Sequence, residues 1–112
     1  MTVDANWLKG VVEPIVMRLV SERAMYGYEI IKIVNERTNG AFEWKEGTLY
    51  PCLHRMEIAG WIQSEWREAE NGRRRKYYAI TRKGLAAGHE KAAQWASFST
   101  AVSALLLAEV PA

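Results

Sequence analysis

Apolar and polar residues recur with two different periods along this 112-residue chain, and the changes of period mark its elements. From Val11 to Glu22, the residues Val12, Ile15, Val16, Leu19 and Val20 fall at spacings of three and four, which predicts a helix with one buried face. Pro14 lies close to its start, where a missing N–H costs least. Tyr26-Gly27-Tyr28 breaks the pattern. A second helix is predicted from there to about Thr38, with Ile30, Ile33, Val34 and Arg37 on one side. Asn39-Gly40 stops it, because both residues tolerate the left-handed conformation that ends helices. Ala41 to Trp44 alternates too briefly for more than an extended connector. A third helix is predicted over about Gly47 to Ala59, with Leu49, Leu53 and Met56 on one face, Pro51 near the first turn and Gly60 closing it. The period then drops to two. Trp61 to Glu68 and Arg74 to Ile80 read as strands, and Asn71-Gly72 between them is a strong hairpin signal. Thr81 is a good N-cap for a last helix from 82 to about 108. Leu85, His89, Ala92, Ala96, Ser99, Val102 and Leu106 form a heptad-like seam along it, widened by Trp95, Phe98 and Leu105, while Gly84 and Gly88 weaken its start.

The fold class expected is therefore mostly α with a β-hairpin. Three helices followed by a hairpin is the order of a winged helix-turn-helix. Residues 1–81 would form that unit and 82–112 a C-terminal dimerisation helix. A helix of about 27 residues is about 40 Å long. Three short helices cannot cover that length, so its seam calls for a second chain. The interface candidates are Trp7, Leu8, Val11, Ala92, Trp95, Ala96, Ser99, Val102 and Leu106. His89 on such a seam is more often a packed histidine than a ligand.

Composition changes this picture little. The chain is 49% hydrophobic and 25% charged, ordinary for a folded domain and unlike a disordered one. One cysteine excludes an intrachain disulfide framework and a multi-cysteine zinc site. The apolar run Ala104–Ala108 is far short of a membrane span, and Met1 to Asp4 shows no start of a signal peptide. The expected setting is cytoplasmic, with no membrane partner.

Charge changes it more. The whole chain carries 15 Lys and Arg against 13 Asp and Glu. Residues 69–84, however, hold six basic groups (Arg73, Arg74, Arg75, Lys76, Arg82, Lys83) against Glu70 alone, a net of +5. Such a local footprint suits a polyanion. In a ribbon, Arg73 and Arg75 would share one face and Arg74 and Lys76 the other. An edge strand guarded by charge against aggregation is the plainer alternative. The third helix adds Thr48, Tyr50, Pro51, His54 and Arg55 on its outward side, with Lys45 at its start. These groups can bond phosphates or base edges, or can simply form a solvated face. Catalysis finds no support. Cys52 and His54 are two apart on a helix and diverge, and no phosphate loop, activated serine or metal-ligand spacing occurs. No enzyme activity and no cofactor are expected.

Four segments together resemble the PadR family of bacterial transcriptional regulators. They are Met25-Tyr26-Gly27-Tyr28-Glu29-Ile30, the run from Glu46 through Gly47-Thr48-Leu49-Tyr50-Pro51 to Glu57, Gly60-Trp61-Ile62, and the run from Gly72 through Arg73-Arg74-Arg75-Lys76-Tyr77-Tyr78 to Gly84. The similarity spans roughly residues 8 to 96 and is to the compact branch with a single C-terminal helix. It implies a homodimeric winged helix-turn-helix repressor on a palindromic double-stranded DNA operator, working beside the bacterial nucleoid. Thr48, Tyr50, Pro51 and His54 fall where that family presents its recognition helix, Tyr28 where the second helix meets phosphate, and Arg73 to Lys76 where the wing touches DNA. The last helix is expected to cross to the other subunit and pack with its first helix. Some members bind planar aromatic effectors near the dimer interface, which makes Trp7 and Trp95 effector-binding candidates. For Trp95 ligand stacking and plain dimer core both stand. The alternative function is a winged-helix module that binds a protein or small molecule and does not act through DNA.

Overall fold

The computed structural model describes residues 2–111 and is mostly helical with one small antiparallel sheet. A 3-10 turn, Ala5–Leu8, leads into α1 (Val12–Glu22). Then follow β1 (Met25–Tyr26), α2 (Gly27–Arg37), α3 (Glu46–Ile58), β2 (Ile62–Glu68), β3 (Arg74–Ile80) and α4 (Arg82–Leu106). This is a winged helix, the class the element order predicts.

The helix stops follow from backbone chemistry. At the end of α2, Asn39 and Gly40 both have positive φ. The Gly40 N–H donates to the Asn35 carbonyl and the Asn39 N–H to that of Glu36. The end of α3 repeats this arrangement. Gly60 has φ +80°, the Trp61 N–H donates to the Met56 carbonyl and the Gly60 N–H to that of Glu57. Both are Schellman closures, which satisfy carbonyls the helix leaves open. The Thr81 hydroxyl accepts from the Gly84 N–H at 3.0 Å and so caps α4, as its position predicts.

Several expectations need correcting. The sheet has three strands, in the order β1-β3-β2. Tyr26, read as part of a break, and Met25 before it pair with Tyr77 and Tyr78. Two residues are too few for a period, so only the partner strand makes them a strand. Helix α3 begins at Glu46, which puts Pro51 in its second turn. The hairpin turn is wider than Asn-Gly alone. The Ala69 N–H donates to the Arg73 carbonyl, the Gly72 N–H to that of Ala69, and Gly72 takes φ +80°. The connector after α2 forms no strand, as its brevity predicts, but its Trp44 is buried while the neighbouring Glu43 is exposed. Its N–H donates to Asn35 Oδ1 at 2.9 Å, and the Asn35 amide returns a bond to the Trp44 carbonyl.

The core is a single cluster. Val16, Met17 and Val20 of α1, Ile30 and Val34 of α2, Leu49, Leu53 and Met56 of α3, and Ile62 of β2 are all buried in it, with Met25 and Tyr78 of the sheet. Leu8 belongs to it too, with 7% of its surface exposed. It is packed mainly within its own protomer, in the cluster that also holds Val12. Among the described residues of α4, only Gly84 is buried. A Cβ there would lie 1.9 Å from the Trp61 carbonyl oxygen, so the close approach of α4 to the start of the wing requires glycine. Beyond its contact with α1 the helix runs on with Trp95, Phe98, Leu105 and Leu106 exposed, and His89 is exposed as well.

Candidate nucleic-acid interface

The wing and the two preceding helices meet around a cleft of about 420 Å³ lined by Tyr26, Gly27, Tyr28, Tyr50, Trp66, Arg74, Arg75, Lys76 and Tyr78. Each element contributes for a local reason. Tyr28 stands in the first turn of α2 and is largely exposed because Ile30, Ile31 and Val34 take the inward positions. Tyr50 lies on α3 beside the buried stripe of Leu49, Leu53 and Met56 and is partly exposed. Its ring lies on Gly27, where a Cβ would meet the hydroxyl at 2.5 Å, so only glycine at the start of α2 leaves this seat open.

Strand alternation distributes the wing cations. Lys76 is opposite Trp66 and Arg75 opposite Arg67 in the ladder. The Arg74 guanidinium lies 5.8 Å from the centroid of the Trp66 ring, and Lys76 Nζ 5.7 Å from that of Tyr78. Arg75 lies 4.5 Å from the Tyr26 ring, which packs edge-on against Tyr77. Arg74 and Lys76 thus share one face and Arg75 takes the other. Arg73 sits in the turn before β3, and the Asn71 carboxamide oxygen accepts from its N–H. Cation–π contacts of this kind are weak when exposed but restrict where a long side chain points.

One carboxylate crosses from helix to wing. Glu57, near the end of α3, accepts from the Ser64 hydroxyl of β2 and lies 3.6 Å from Lys76 Nζ of β3. It ties both strands to α3 and partly neutralises Lys76. Burial, and then the negative charge of Glu46, push the Tyr50 hydroxyl above the usual phenol range against the opposing pull of Arg75. Burial also raises Tyr78, with Glu57 and Tyr50 adding to it. Both phenols stay protonated near neutral pH and remain hydrogen-bond donors.

The remaining sequence-predicted residues lie elsewhere on α3. Thr48, Pro51 and Arg55 face a hollow of about 430 Å³ shared with Leu8 and Lys9 of the N-terminal segment and Glu13 of α1. Arg55 donates to Cys52 Sγ at 3.0 Å. Burial keeps that thiol above its ordinary range despite the neighbouring guanidinium. Lys45 at the start of α3 and His54 on its outward side are exposed. The structure therefore brings Tyr28, Tyr50, Arg74, Arg75 and Lys76 into one cleft and leaves Thr48, Pro51 and Arg55 on the flank of the same helix. Trp66, Glu57 and Gly27 were not singled out from sequence. An aromatic at a solvent-side strand position opposite Lys76 is the signal that marks Trp66.

A second concave region lies between α1 and α4. Val11, Pro14, Ile15, Leu19, Phe42, Ala92 and Trp95 line a largely apolar recess of about 440 Å³, with Arg18 and Arg37 at its rim. On the other side of Trp95, an open recess of about 470 Å³ gathers Trp7, Val11, Phe98, Ser99 and Val102. Ala96 and Leu106 are exposed further along α4.

The sequence model of the transcriptional regulator PadR-like family matches residues 16–90, two thirds of the chain and all of α2, α3 and the wing. The chain belongs to the PadR family. Solved structures agree. A transcriptional regulator from Clostridium thermocellum is 30% identical, with a TM-score of 0.84 and 94% of this chain and 99% of that one covered. A PadR-like transcriptional regulator from Bacillus cereus is 35% identical, with a TM-score of 0.80 over 94% of this chain and 100% of that one. An uncharacterised protein of Lysinibacillus sphaericus is 37% identical over 94 residues, 84% of this chain and 86% of its own. PadR proteins are transcriptional regulators that act on DNA and are not enzymes. Among the described residues, no helix is long and apolar enough to cross a membrane.

Proposed function

We propose that this PadR protein is a homodimeric repressor in the bacterial cytoplasm. Each subunit would set the outward face of α3 in a major groove and its wing along the flanking backbone, so that the two-fold axis selects a roughly palindromic operator. The observation that carries this reading is the cleft itself. Phenol donors from α2 and α3 and the cations of β3 line one concavity, the mix of groups a duplex backbone meets. Tyr50 and His54 are the proposed base readers, and Thr48, Pro51 and Arg55 the flank of the helix nearer the N-terminal segment. Lys45, Tyr28 and Arg73 to Lys76 are the proposed phosphate contacts.

The dimer rests on α4. Its 25 residues extend about 37 Å, and Phe98 and Leu105 keep 66% and 83% of their surface in solvent. A second copy would cover this face, with Trp7, Val11, Ala92, Trp95, Ala96, Ser99, Val102 and Leu106 at the contact and residues 82–112 as the dimerisation unit. The recess beside Trp95 supports a planar aromatic effector at the same junction. Selection of bound duplexes from a random pool with the purified protein tests the proposal. Recovery of a two-fold symmetric sequence is the expected result, and recovery of asymmetric or unrelated sequences would refute it. Titration with planar aromatic compounds, followed by tryptophan fluorescence, tests the effector, and the expected result is saturable quenching that Trp95→Ala abolishes.

A further inference from the structure

The wing carries one large apolar side chain that the fold does not use. Trp66 in β2 keeps 60% of its surface exposed, whereas Trp44 is buried and Trp61 packs against the core. It stands opposite Lys76, on the face of the ribbon that bears Tyr78 and turns toward α3, and it lines the same cleft as Tyr28 and Tyr50. The Arg74 guanidinium is held near its ring. A lone exposed tryptophan needs no explanation by itself. One set among the cations of the most basic segment, beside two phenols, has a chemically defined neighbour. A duplex backbone alternates anionic phosphates with apolar deoxyribose faces, and a ribbon face that sets one flat indole beside Arg74 and Lys76 offers a partner to each.

Resting on the DNA-binding reading above, we infer that Trp66 is an apolar contact of the wing, packing on deoxyribose while Arg74, lodged against the ring, meets the adjoining phosphate. Trp66 still exposes 60% of its surface, so the contact can remove at most about 90–150 Å² of the roughly 150–250 Å² that a fully buried aromatic takes from water. Because the contact is uncharged, it releases no counterions and adds nothing to the salt dependence of binding. Holding Arg74 near its bound position lowers the ordering cost of that contact.

The test is a set of binding isotherms over a range of salt, by fluorescence anisotropy, on the labelled duplex recovered by selection. Wild type, Trp66→Ala, Trp66→Phe, Arg74→Ala and the double variant Trp66→Ala/Arg74→Ala are compared, each with its unfolding curve. Trp66→Ala is expected to weaken binding at least about fivefold at every salt concentration, its plot of log affinity against log salt running parallel to that of wild type. Trp66→Phe should restore most of the loss, and Arg74→Ala should flatten the slope. The inference is overturned if Trp66→Ala binds as tightly as wild type. It is also overturned if Trp66→Ala flattens the slope as Arg74→Ala does and adds nothing in that background, for the ring would then act only by propping the guanidinium. If wild type itself bound no duplex at low ionic strength, the DNA reading would fall and take this inference with it. Trp66 is exposed, so both variants should fold. If Trp66→Ala nevertheless proved unstable, equal weakening by a well-folded Trp66→Phe would also count against the contact.

Discussion

Removing one wing cation changes how DNA binding responds to salt, and the size of that change counts subunits. Arg75 is the residue of choice. It lies near the Tyr26 ring and close enough to pull on the Tyr50 hydroxyl, and no carboxylate within salt-bridge distance neutralises it among the described residues. Lys76 is a poorer probe, because Glu57 lies beside it and would be left unpaired by its removal. Each phosphate contact contributes about 0.9 to the slope of log affinity against log salt. Arg75→Ala in one bound subunit should therefore flatten the slope by about 0.9, and in a symmetric dimer by about 1.8. Between roughly 50 and 200 mM salt, the affinity gap between wild type and variant should then shrink about 12-fold for a dimer, against about 3.5-fold for a monomer. Arg75 is half-buried in the wing, so unfolding curves must first show an intact fold. Fluorescence anisotropy with a labelled duplex across salt supplies the measurement. Parallel lines for wild type and Arg75→Ala would refute the assignment of this guanidinium to a phosphate, and a smaller change in slope would refute the two-fold arrangement.

Two glycines should respond in opposite ways to alanine. Gly84→Ala drives a methyl into the Trp61 carbonyl and Ile80 and should cost more than about 2 kcal/mol in chemical unfolding. Gly27→Ala meets only the mobile tip of Tyr50, so stability should change by less than about 1 kcal/mol, helped by alanine's better helix propensity, while operator binding falls as Tyr50 is displaced. Phe98→Glu should convert the dimer to monomer in sedimentation, and an unchanged mass would exclude this part of α4 from the interface. The hydrogen bonds from Arg37 hold Glu22 below the usual carboxylate range. The stability this pair contributes is thus present above that range and is lost as pH falls through the folded-state value. Wild type should melt above Glu22→Gln at neutral pH and converge with it on acidification, and a constant gap would refute the linkage.

Local chemistry is what the sequence made legible. Periods of three and four located α1 to α3 and α4 to within a residue or two. Asn39-Gly40 and Gly60 marked the helix ends because backbone closure there needs left-handed residues whatever surrounds them. The bounds Arg74–Ile80 and the wing charge were equally plain, since alternation and charge are written in consecutive residues.

What consecutive residues do not carry is which faces meet. Met25-Tyr26 is a strand only because β3 offers it unpaired backbone groups. Leu8 reads like any apolar residue before a helix, and only the packing of the 3-10 turn puts it inside its own protomer. Glu57 looks like a surface carboxylate until β2 and β3 bring Ser64 and Lys76 to it. Tyr50 in the cleft and Thr48, Pro51 and Arg55 on the flank all stand on α3, set apart only by about a hundred degrees per residue, and the folded body decides which side the wing lies on. Pairing and facing depend on contacts between residues far apart in the chain, whereas period, cap and charge depend on neighbours. The sequence alone therefore determined the helices, the hairpin and their order, and the tertiary structure decided the third strand and how all of them combine into a surface.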